Sequence, residues 1–120
     1  MEALLKSEHF FDSANRGALI KSPSDFTYGI LRTFDVSIPG PTEYVNQYQA
    51  WSTMGYLSAI MQQELGDPPS VAGWPAYYQI PQYHELWINS DTLSNRNKVS
   101  DVLISSGYRA NGGRIQIDSL

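Results

Sequence analysis

Cysteine is absent from the chain. That excludes a disulfide framework, a thiolate-bound zinc site and a cysteine nucleophile. Charge is scarce: Asp, Glu, Lys and Arg make up 17% of the residues, below the roughly 25% of an average soluble domain. Basic residues are the scarcer sign, eight against twelve acidic, for a net charge of -4. No nucleic-acid partner is expected, because such binders carry a basic patch and a high pI. No apolar run approaches the roughly 20 residues of a membrane span. No charged n-region followed by an apolar stretch marks a signal peptide in this sequence. What is present suffices for one domain: 120 residues, 42% of them hydrophobic. A chain of that length can bury roughly two-thirds of its unfolded surface.

The apolar residues fall mostly at helical spacing. Residues 2–11 (EALLKSEHFF) read as the end of a helix with nothing capping its start, and residues 12–17 as a turn cluster. A second helix is predicted with Ser22 as its cap, Pro23 at the first helical position and Asp25 at N3, an acidic variant of the capping box. It presents Phe26, Ile30, Leu31 and Phe34 on one face and ends near Asp35. Residues 43–65, capped by Thr42, form the longest predicted helix. Its stripe is Tyr44, Tyr48, Trp51, Met54, Leu57, Met61 and Leu65, and Gly66 followed by Pro68-Pro69 stops it. Phe26, Ile30, Phe34, Tyr48, Trp51, Leu57 and Met61 are expected to be buried against one another. Asn89 caps the last helix, with Ile88 and Leu93 as a hydrophobic staple, Val99, Val102 and Leu103 as the apolar face and Gly107 as the stop. Residues 112–118 alternate polar and apolar, as a short strand or extended arm does. Helix accounts for about half the chain in this reading, above the usual third. The expected class is all-α: a small bundle of about four helices, one long ordered Pro-rich aromatic loop, and a short extended C-terminal tail.

The loop, residues 66–88, holds four prolines and no sustained period. Structureless loops beyond roughly 12–15 residues are uncommon in compact domains and are usually functional or disordered. This one carries Trp74, Tyr77, Tyr78, Tyr83 and Trp87, and disordered segments are poor in aromatics. The five rings are the candidate binding residues, as a stacking platform for sugar rings or a peptide. The competing reading turns them inward as plugs. For Trp74, held between Gly73 and Pro75, that reading predicts a mostly buried ring with its indole N–H bonded.

Other candidates carry no chemistry at their spacing. His9 with Asp12, and His84 with Glu85, match no metal-ligand pattern. Lys21 and Ser22 read as a solvated lysine beside a helix cap. Asp12, Asp25, Asp67, Glu85 and Asp91 read as caps and turn residues. Arg96 is expected in a surface ion pair with Asp67 or Asp91. No catalytic residue, metal site or cofactor is assigned.

Three separated motifs resemble one family. They are Asp67-Pro68-Pro69-Ser70-Val71-Ala72-Gly73-Trp74-Pro75, then Leu86-Trp87-Ile88-Asn89-Ser90 with Arg96, and upstream His9-Phe10-Phe11-Asp12 with residues 16–23. Together, from about Leu4 to about Leu103, they resemble the C-terminal region of the bacterial domain of unknown function 1800 family. The insert at residues 76–85 resembles the form in Bacteroidetes members. The resemblance implies a C-terminal part of a protein of several hundred residues, often exported, so that the parent is extracytoplasmic. It implies no activity, since the family has none established. The expected role is a non-catalytic structural or partner-binding helical segment. The partner would be the N-terminal part of the same protein, another protein, or a second copy. The alternatives are part of a hydrolase-like or carbohydrate-active enzyme with its catalytic groups mostly elsewhere, or a carbohydrate-binding surface on the aromatic loop.

Overall fold

The structure, a computed structural model, describes residues 1–75, 80, 82–110 and 113–117. At the N-terminus the helix expected over 2–11 is broken into α1 (Glu2–Leu5) and a 3-10 turn, Glu8–Phe11, and a second 3-10 turn, Ser13–Asn15, falls in the expected turn cluster. The breaks are chemical. The Ser7 side chain accepts from the Phe10 amide and the Asp12 side chain from the Ala14 amide, and such local bonds compete with a continuous helix. Leu4, Leu5, Phe10 and Phe11 are exposed.

Helix α2 (Pro23–Thr33) starts as predicted. Ser22 Oγ accepts from the Asp25 amide at 3.2 Å and donates to Asp25 Oδ2 at 2.9 Å. The helix stops because Asp35 turns left-handed, at φ 48°. Thr27 and Leu31 face the core and Phe26 and Ile30 flank it, but Phe34 is 51% exposed.

Helix α3 (Tyr44–Ala59) is shorter than the predicted 43–65. Its buried side chains are Ala50, Met54, Leu57 and Ser58, with Met61 just beyond. Tyr44, Tyr48 and Trp51, placed by sequence on the same stripe, lie on another face and are 63%, 72% and 43% exposed. The spacing explains the error. Each step of three residues turns the stripe back by about 60°, and the predicted stripe takes three in succession between Tyr48 and Leu57. Leu65 falls beyond the helix and is exposed. Helix α3 contains no charged residue, so its outer face is uncharged as well.

The C-terminus of α3 is closed by tertiary partners. Gln62 is left-handed at φ 70°. Asn95 Nδ2 donates to the Ile60 carbonyl at 2.8 Å, Ser24 N to Gln63 Oε1 at 2.8 Å, and Asn89 Nδ2 to Gln62 Oε1 at 3.0 Å.

Helix α4 (Ser90–Ser105) has the predicted Asn89 cap, strengthened into a box by Thr92. Thr92 and Asn89 each accept the other's backbone amide hydrogen, at 2.8 and 2.9 Å. Leu93, the predicted staple partner, is 48% exposed. Gly107 ends the helix as expected, at φ 65°. A Cβ there would meet the Ile115 carbonyl oxygen at 2.7 Å, so the turn needs glycine both for its conformation and for space. A two-stranded antiparallel hairpin follows, β1 (Tyr108–Ala110) and β2 (Gly113–Ile115), with Tyr108 opposite Ile115. Gly112 and Asp118 of the predicted tail lie outside the described residues. The class is mostly α, a small bundle with one short hairpin.

The core gathers Leu31 from α2, Ala50, Met54, Leu57 and Met61 from and after α3, Val99 and Leu103 from α4, and Ile115 from β2. Met54→Ala is expected to cost about 2–5 kcal/mol in urea unfolding. Tyr48→Ala should change stability by less than about 0.5 kcal/mol.

Burial, and after it the nearby Tyr56, raises the Tyr108 phenol above its ordinary 10.0. The folded chain therefore holds that proton more tightly than the unfolded one. The resulting stability is complete below about pH 10 and is lost as the pH climbs through the folded value. Thermal melts should show a shallower alkaline decline for Tyr108→Phe than for the wild type.

Candidate functional site

The bond between Arg96 and the backbone of Lys21 sets the site's first wall. Arg96 projects from α4 and is only 8% exposed. Its Nη2 donates to the Lys21 carbonyl at 2.7 Å, and its guanidinium carbon lies 5.0 Å from the Phe26 ring centroid. Burial lowers its pKa below the ordinary arginine value. Its Nε is buried with no hydrogen-bond partner among the described residues. The surface ion pair with Asp67 or Asp91 expected from sequence is thus replaced by a buried bond to a carbonyl and a stack on a ring. The one ion pair among the described residues joins Lys6 to Glu2. Sequence reasoning missed this role, because a carbonyl partner 75 positions away leaves no mark in local spacing.

A second bond holds the same wall. The Ile20 amide donates to His84 Nδ1 at 3.3 Å, which puts the neutral imidazole's proton on Nε2. Between this wall and the aromatic loop lies a pocket of about 430 Å³. Leu19, Ile20, Lys21, Ser22, Asp25 and Gln63 line it together with Trp74, Pro75, His84 and Trp87. The Lys21 ammonium folds back over α2, 3.7 Å from where a Cβ on Gly29 would sit.

Of the five rings singled out by sequence, Trp74 and Trp87 come together. Their ring centroids are 6.0 Å apart, with planes tilted by 45°. Trp87 is the buried member, 6% exposed, and its carbonyl accepts from Thr92 Oγ1 at 3.0 Å. Trp74 is half-buried, so the inward plug predicted for it is supplied chiefly by Trp87. Tyr83 is 46% exposed and left-handed at φ 46°, and it does not line the pocket. Tyr77 and Tyr78 lie outside the described residues. His9 lies with Glu8 and Asp12 in a separate surface depression, and no group of three or more potential metal ligands occurs among the described residues.

The family model described as "Protein of unknown function (DUF1800)" matches residues 1–119. The chain belongs to the DUF1800 family. No curated protein and no solved structure shows a significant match to it. Seen from this member, the DUF1800 motifs converge in space. The Gly73-Trp74-Pro75 turn, the Trp87 end of the second motif and residues 19–22 of the upstream motif all border one pocket. Among the described residues, no helix is long and apolar enough to cross a membrane.

The different burial of the two indoles gives a direct test. Trp87→Ala should cost about 3–5 kcal/mol, as for other large buried rings. Trp74→Ala, removing a ring less buried than Trp87, should cost less. Chemical denaturation of the two variants measures both.

Proposed function

We propose that this DUF1800 chain is a non-catalytic, partner-binding helical segment of a larger exported bacterial protein, docked against the rest of that protein through the outer face of α3. The observation that carries the reading is area. The chain exposes 8814 Å², whereas a compact monomer of 13.5 kDa would expose about 6,500 Å². The excess, roughly 2,300 Å², exceeds the ~800 Å² per partner of a standard stable interface. Its radius of gyration, 16.9 Å, likewise exceeds the roughly 13–14 Å of a compact chain of this length.

Part of that area has the character of an interface. Tyr44, Tyr48 and Trp51 repeat at helical spacing on a helix without a single charge. Trp51 also leans on Tyr28, with centroids 6.0 Å apart. The same Trp51 borders a groove of about 230 Å³ lined by Tyr28, Leu31, Val36 and Ile38 together with Arg32 and Asp35. Aromatic anchors on a helix face that carries no charge are the composition of an interface core.

Sedimentation and dye binding test this. The chain on its own should self-associate or bind a hydrophobic dye, and Tyr44→Glu with Tyr48→Glu should suppress both without lowering the melting temperature. A compact monomer that binds no dye would overturn the proposal.

A further inference from the structure

We infer that the Trp74–Trp87 pocket is a binding site for a neutral pyranose ring. The pocket is separate from the α3 face and does not depend on the docking role. Its size, about 430 Å³, falls within the ~300–1,000 Å³ of small-molecule sites. Its polar groups decide the ligand class. Lys21 and Asp25 both line it, with the Lys21 ammonium turned back over α2.

An anion is disfavoured because Asp25 faces it and because the start of α2 has no donor to spare. Pro23 has no N–H, Ser24 N is bonded to Gln63 Oε1, Asp25 N to Ser22 Oγ, and Phe26 N to the Ser22 carbonyl. An organic cation would suit the indoles and Asp25. It would meet the donors His84 Nε2–H and the Gln63 amide nitrogen, neither of which it can satisfy. A neutral polyol uses both kinds of group. Its hydroxyls donate to Asp25 and accept from Gln63 and His84, while the apolar C–H face of its ring lies on an indole. Trp74, half-buried and already braced on Trp87, offers that face with little rotamer freedom left to lose. The tyrosines of the loop are not needed for this.

A free saccharide and a ring within a polysaccharide chain present the same chemistry. Calorimetric titration with cellobiose, maltose and N,N′-diacetylchitobiose tests the first, and co-sedimentation with insoluble cellulose, starch and chitin the second. Saturable binding is expected in one arm or the other, weakened about tenfold or more by Trp74→Ala and by Asp25→Asn. Trp74→Phe should recover part of the loss, which separates ring stacking from damage to the fold. Tyr48→Ala should leave binding unchanged, which separates this site from the α3 face. Binding in neither arm, or saturable binding of choline or inorganic phosphate instead, would overturn the inference.

Discussion

The polar junction where α3 ends holds the three packed helices to one another. Within a few residues, Gln62 accepts from Asn89, Gln63 accepts from Ser24, and the Ile60 carbonyl accepts from Asn95. Ser24 Oγ and Ser58 Oγ lie 3.0 Å apart in the same region. Each helix end leaves backbone groups without intrahelical partners. Here the end of α3 and the starts of α2 and α4 supply one another's partners. The core methionines and leucines set how much the fold is worth, but being non-directional they do not set which ends meet. Hydrogen bonds between amide side chains and helix termini do, and they place residues 19–22 opposite Trp74 and Trp87.

The legible parts of the fold were those written in adjacent residues. Ser22-Pro23-Ser24-Asp25 and Asn89 with Thr92 are short-range chemistry, and both helix starts stand where the sequence puts them. Gly107 is legible for the same reason. The α3 stripe was not, because two apolar faces interleave on one helix. Ala50, Met54, Leu57 and Met61 point to the core while Tyr44, Tyr48 and Trp51 point away. Periodicity registers that something apolar recurs but does not say which recurrence the chain itself covers. The length of α3 was overestimated because its stop depends on Asn89 and Asn95, some thirty residues on.

For the site, sequence singles out five rings of the aromatic loop, and those among the described residues lie differently. Trp87 anchors, Trp74 lines, and Tyr83 faces water away from the pocket. Sequence could not sort them, since direction depends on what the loop packs against. Nor could it supply the opposite wall, because Lys21 and Ile20 reach the site only through Arg96 and His84.

Arg96 also determines under what conditions the Lys21 end of that wall stays put. A guanidinium keeps its charge across the range in which proteins live. A backbone carbonyl and a phenylalanine ring have no charge to change. The contact joining Lys21 to α4 thus contains no acid that protonates and no imidazole that switches. An arginine–carboxylate pair in the same place would fail once its acid was neutralised. Acidification that loosens carboxylate-held structures leaves this fastening untouched, and dissolved salt, which screens exposed ion pairs, has little purchase on a buried bond to a neutral oxygen.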